Sequence, residues 1–166
     1  MHEPPEFPAP GRRVVTGVNA LGKSIVVSDG PVPKDATWAE PGIGSGGDLW
    51  VVSRVPINLT DQSDPLVGYT LQSWPAPGGV NARMNTWEPG FIYPMHRSDT
   101  IDFVFIISGQ LELILEEGTA VLRSGETVVQ CGTHHAWQVV GNEPCTFAAV
   151  LIDAAPQPPQ VEAVAS

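Results

Sequence analysis

From Val80 onward the chain alternates with a period of two. Val80, Ala82, Met84 and Thr86 fall on one side, and Asn81, Arg83, Asn85 and Trp87 on the other, as in a β-strand over residues 80–87. Residues 101–108 are nearly all apolar, and Gly109 ends the run. Leu111, Leu113 and Leu115 then share one face of a strand over 111–116. Glu117-Gly118 is a tight-turn signal. Further strands are expected at 119–123, 127–130, 135–140 and 145–153, with Ser124-Gly125, Cys131-Gly132 and Gly141-Asn142-Glu143 between them. Short strands spaced this evenly predict an all-β barrel or sandwich.

The first half is less regular. Residues 12–18 and 24–27 flank Asn19-Ala20-Leu21-Gly22 and predict a hairpin. Residues 31–47 read as a loop rich in proline and glycine, 49–55 as a short apolar strand, and 58–79 as an irregular stretch suited to a lid over a pocket. No window of a dozen residues carries a 3.6-residue period. The 17 glycines and 17 prolines interrupt the chain too often for long helices. A single domain is expected over 12–153, with an N-terminal arm at 1–11 and a proline-rich C-terminal tail at 154–166.

Charge narrows the partners. Eighteen acids against eight bases give a net charge of −10, which disfavours nucleic acid and anionic membrane. No apolar run is long enough to span a bilayer, and residues 1–10 lack the apolar core of a secretory signal, so a cytoplasmic location is expected. Cys131 and Cys145 are too few for a disulfide framework and are read as reduced and mostly buried.

Three potential metal ligands stand in the strand-rich half: His96, Asp102 and His135. Two imidazoles and a carboxylate form a donor set that can hold a divalent metal with open positions. Each also has a plain reading as a hydrogen-bonded barrel residue. Arg83, Asn85 and Trp87 line a pocket if their strand face looks inward and are ordinary surface if it looks outward. An inward Arg83 suits a carboxylate. Tyr93 and Trp137 are candidate aromatic walls.

The residues around these donors have a recognisable spacing. Gly90, five residues, His96, then Ser98, Asp102 and Gly109 resemble the first cupin motif, in which Ser98 replaces a second histidine and Asp102 a glutamate. Gly125, Gly132 and His135 resemble the second motif. There Gln130 stands at the usual proline, the spacing from Gly125 is one residue short, and Val139 stands where asparagine is common. The resemblance implies a double-stranded β-helix, the cupin or jelly-roll barrel, with a ligand or metal near its centre. Carried over, it implies His96, Asp102 and His135 as ligands to Fe, Mn, Ni or Zn. The metal would act as a Lewis acid on a small carbonyl or carboxylate compound, with His134 or Tyr93 moving a proton and Arg83, Asn85, Ser98 and Trp137 contacting substrate. The expected activity is isomerase, lyase or decarboxylase. A dioxygenase, a metal-free acid–base enzyme using His96 and Asp102, and a non-catalytic binding module stand as alternatives. A homodimer is also expected from the resemblance.

Overall fold

The structure is a computed structural model, and residues 10–156 are described. Most of the expected arm and tail, 1–9 and 157–166, lies outside the described residues. Twelve strands and one short 3-10 turn follow in chain order: β1 (Arg12–Val18), β2 (Ser24–Pro31), the turn Lys34–Ala36, β3 (Thr37–Glu40), β4 (Gly44–Val52), β5 (Val80–Trp87), β6 (Ile92–His96), β7 (Thr100–Ser108), β8 (Gln110–Leu115), β9 (Thr119–Arg123), β10 (Thr127–Cys131), β11 (His135–Val139) and β12 (Cys145–Asp153).

The strands form a hairpin, β1-β2, and two larger sheets ordered β10-β7-β12-β5-β4-β3 and β6-β11-β8-β9. All pairings are antiparallel. The two larger sheets face each other and form the double-stranded β-helix expected from the sequence. Between them Val104, Ile106, Leu111, Leu113, Val139, Phe147 and Leu151 are buried with Trp87 and Trp137. Each large side chain so placed contributes roughly 1.5–3 kcal/mol of burial energy, which fixes the register because a one-residue slip would turn the whole set outward.

Two parts of the sequence reading are corrected. The stretch 31–47, expected to be a loop, contains β3 and the start of β4. Here glycine is needed because β4 lies against its neighbours with no room for side chains. A Cβ on Gly46 would stand 2.0 Å from Asn85 Oδ1, and one on Gly44 the same distance from the Thr86 carbonyl, at φ +133°. β6 was not foreseen either. Its central Pro94 argues against a strand in sequence terms, but β6 lies at the edge of its sheet, where a missing donor is tolerated. Residues 58–79 carry no strand, as expected, whereas the strand expected to run to Val55 ends at Val52.

Candidate functional site

Strand phase decides what lines the barrel. β5 turns Arg83, Asn85 and Trp87 inward, settling the alternative left open by its sequence. β7 contributes Asp102 and Val104, β12 contributes Phe147, Ala149 and Leu151, and β11 contributes His135 and Trp137. These side chains enclose a cavity of about 320 Å³, completed by Phe91, Tyr93 and His96 around β6, by Trp38 and by Trp74 from the 53–79 segment. The wall is mostly aromatic and aliphatic, with a few polar groups converging on it, as in a small-molecule site.

His96 and His135 are cross-strand partners on β6 and β11. Their ring centroids lie 4.2 Å apart with planes tilted by 55°. His96 Nδ1 is 2.9 Å from the Pro94 carbonyl. A carbonyl only accepts, so Nδ1 carries the proton and Nε2 keeps its lone pair. His135 Nδ1 lies 2.8 Å from the Thr133 carbonyl, to which it donates in the same way. The Gln130 amide nitrogen is also 2.8 Å away. That amide donates to the Thr133 carbonyl at 3.1 Å and its oxygen accepts from the Thr133 hydroxyl at 2.7 Å. Gln130, at the motif's proline position, thus fastens the turn that orients His135. Burial lowers the His135 pKa. The Thr133 hydrogen bond opposes this, and the other two nearby imidazoles reinforce it.

His96 is packed by rings. Trp74 stacks on it at 5.8 Å and 28°, and Tyr93 meets it edge-on at 4.8 Å. Tyr93 in turn lies parallel to Trp87 at 5.8 Å.

Asp102 belongs to the other sheet, opposite Gln130 of β10 and Leu151 of β12. It is buried, and its Oδ1 has no hydrogen-bond partner among the described residues. Burial raises its pKa. A hydrogen bond from Thr100 and the positive fields of Arg83 and His96 oppose that rise.

The three predicted ligands therefore line one cavity but do not gather into one cluster. Among the described residues, no group of three His, Cys, Asp or Glu side chains stands close enough together to hold a metal ion. The reason is geometric. The imidazoles share one sheet and the carboxylate is on the facing sheet, with packed sheets about 10 Å apart. Asp is also one methylene shorter than the glutamate of the motif. Structural and catalytic metal sites take three or four protein donors. The donor set present, two imidazoles, does not fit a firmly resident ion.

Other expectations are also corrected. His134 is not on the cavity: it neighbours His135 on the strand, points the other way, and pairs with Glu116 at 3.5 Å on the surface. Ser98 is buried and bonded to the Thr100 hydroxyl at 2.8 Å, and it lines a separate shallow pocket with Arg97 and Asp99. Arg83 is on the cavity wall, but its guanidinium is occupied. Nε lies 3.0 Å from buried Asp48, and Nη1 and Nη2 donate to the Ser73 and Gln72 carbonyls. Tyr93, Asn85 and Trp137 line the cavity. Cys131 is exposed rather than buried, and Cys145 is buried, its thiol pushed up to about 11. Trp38 and Trp74 were missed because each comes from a segment without periodicity.

A family model for the cupin domain matches residues 83–152, from within β5 to the penultimate residue of β12. A cupin-domain-containing oxidoreductase of Hypocrea virens, virC, is 30% identical over 90% of this chain and 81% of its own length. The chain belongs to the cupin family. Among its other relatives, the phomopsin biosynthesis cluster protein C' of Diaporthe leptostromiformis is 32% identical over 82% of the cupin described here and 74% of its own length. The oxidoreductase srdD of Neurospora crassa is 31% identical over 82% of this chain and 72% of its own. Among the described residues of this cupin, no helix is long and apolar enough to cross a membrane.

Proposed function

We propose that this cupin is an enzyme that moves a proton on a small, largely apolar carbonyl or carboxylate compound, as an isomerase, lyase or decarboxylase. One observation carries the reading. The His96 imidazole, anchored through Nδ1 to Pro94, and the buried Asp102 carboxyl, one oxygen of which has no hydrogen-bond partner among the described residues, line the same aromatic cavity. An imidazole and a buried carboxyl whose pKa is raised by that burial, facing one cavity, are suited to acid–base work.

The roles follow from the environment of each group. His96 Nε2 takes the proton from the carbon next to the carbonyl. Its Nδ1–H, held by Pro94, spreads the positive charge that develops. Burial keeps the Asp102 carboxyl protonated to higher pH than usual, and it donates to the carbonyl oxygen as that oxygen gains negative charge. The proton now held on His96 Nε2 is returned from there to a second carbon, while His135, kept neutral by burial, lines the wall beside it. Trp74, Trp87, Tyr93 and Trp137 bind the apolar body and exclude water. Arg83 organises the wall through Asp48 and the loop carbonyls, so a substrate carboxylate would meet Asn85 before a free guanidinium.

Proton exchange provides the test. In deuterated buffer the protein should accelerate exchange of the hydrogens next to the carbonyl in a panel of small cyclic ketones, and His96→Ala should remove the effect. No acceleration across the panel would overturn the reading and favour a non-catalytic binding barrel.

The names of the relatives favour a second reading, oxidation of a biosynthetic intermediate. That chemistry needs an electron acceptor. Oxygen uptake by the protein supplied with Fe(II), lost in His135→Ala, would support this reading over proton transfer alone.

A homodimer remains part of the proposal. The outer face of the six-stranded sheet carries Val80, Ala82 and Met84 of β5, Ala148, Val150 and Ile152 of β12, Phe103, Phe105 and Ile107 of β7, and Val129 of β10, with no charged residue on those strands' outer positions. Phe105, Ile107 and Val129 are exposed. An uncharged apolar face on so acidic a chain suits a second copy.

A further inference from the structure

A second cavity, of about 430 Å³, lies between β4, the start of β5 and the 53–79 segment. It is larger than the barrel cavity, and the two share Trp74 alone among their lining residues. Trp50, Tyr69 and Trp74 supply its aromatic wall and Ile57 an aliphatic one; Asn81 is a polar group on its β5 side, and Arg54, Asn58, Asp61 and Gln72 are polar groups on its loop side.

Asn81 makes this cavity more than a gap under a loop. Its strand turns it inward with Arg83 and Asn85, and it is 3% exposed. Its amide nitrogen has no hydrogen-bond partner among the described residues. A buried donor left unmade is costly, and native proteins rarely keep one without a use. The neighbouring polar groups do not serve it. Tyr69 spends its hydroxyl on Asp48, donating at 2.9 Å, and its Asn81 cross-strand partners are Val51 and Leu151. What this donor lacks is an acceptor.

We infer that this cavity is a ligand site distinct from the barrel, taking a flat, uncharged molecule whose carbonyl oxygen accepts from the Asn81 amide while its body lies against Trp50 and Trp74. The volume is within the range of small-molecule pockets. The chain's net charge of −10 and the presence of both Arg54 and Asp61 on the lining favour a neutral ligand over an anion. This inference is independent of the proton-transfer reading.

The test compares 1-indanone with indane, which has the same flat body but no carbonyl, on the full-length protein. The side-chain amide resonance of Asn81 is followed by nitrogen–proton NMR. 1-Indanone should shift it saturably and bind about tenfold more tightly than indane, the scale expected for one buried hydrogen bond. Asn81→Leu should bring the two ligands to equal affinity, and His96→Ala should leave the preference for 1-indanone unchanged. An Asn81 amide that does not move up to the solubility limit of 1-indanone would overturn the inference, and this measurement needs no variant. So would shifts confined to His96 and Trp137, which would place the probe in the barrel.

Discussion

His96 and His135 face each other as a cross-strand pair, 4.2 Å between ring centroids, each with Nδ1 against the backbone carbonyl two residues before it. Both rings therefore present Nε2 away from their anchoring strands. Replacing either by Ala should lower turnover of any accepted substrate by at least 10²-fold, the usual scale for a positioned acid or base. Gln130→Leu should act more weakly, about tenfold, because it loosens the turn under His135 without removing a reacting group. Steady-state kinetics on the three variants would check the order. Equal losses would contradict it.

Asp102 is the residue on which the metal and acid–base readings separate. Asp102→Asn should abolish ketone exchange yet leave metal uptake unchanged. His96→Ala and His135→Ala should reduce whatever zinc or iron the protein takes up. Metal analysis after mild chelation should find well under one equivalent in the wild type. A full equivalent that disappears in Asp102→Asn would show that the carboxylate swings across the barrel to complete a site.

His135 also predicts a pH dependence of stability. Burial depresses its folded-state pKa below the ordinary histidine value of 6.5. As pH falls below that value the unfolded chain takes up a proton at this residue and the folded chain does not, so stability is lost progressively toward the depressed pKa. Above 6.5 both states are neutral and the effect vanishes. Thermal melts at pH 7.5 and 5.5 should show the wild type losing more on acidification than His135→Gln. An equal or larger loss in the variant would be inconsistent with a buried neutral imidazole.

The thiols should separate cleanly. Cys131 is exposed, and Cys145 is fully buried with its pKa raised to about 11. At pH 8, iodoacetamide should modify Cys131 alone in the native protein and both only after denaturation.

Analytical ultracentrifugation at micromolar concentration should return twice the chain mass of 17.7 kDa. Phe105→Glu, on the outer sheet face, should return a monomer without lowering the melting temperature by more than a few degrees. A wild-type monomer would remove the dimer from the proposal.

The strands were legible where one face is buried and the other is not, because alternation reports that contrast directly. β5, β8 and β12 were found for this reason. The start of β4 was hidden because its glycines carry no side chain to alternate; they are there to let β3 and β5 approach, and that is visible only in three dimensions. The spacing of Gly90, His96, Asp102, Gly109, Gly125 and His135 placed the cavity correctly. It did not reveal which donors meet, since His96 pairs with His135 within one sheet while Asp102 looks back from the other. Nor did it reveal that Arg83 is occupied, because its partners Asp48, Gln72 and Ser73 are distant in the pattern and two of them offer only backbone.

The bonds from Arg83 to the Gln72 and Ser73 carbonyls also bear on traffic. They anchor the segment just before Trp74, the ring that caps His96 and divides the two cavities. The backbone beside Trp74 is thus tied to the barrel wall through Arg83. Arg83→Lys, which keeps the charge but loses the forked grip, should therefore speed both arrival and departure of a bound molecule while changing its equilibrium affinity little.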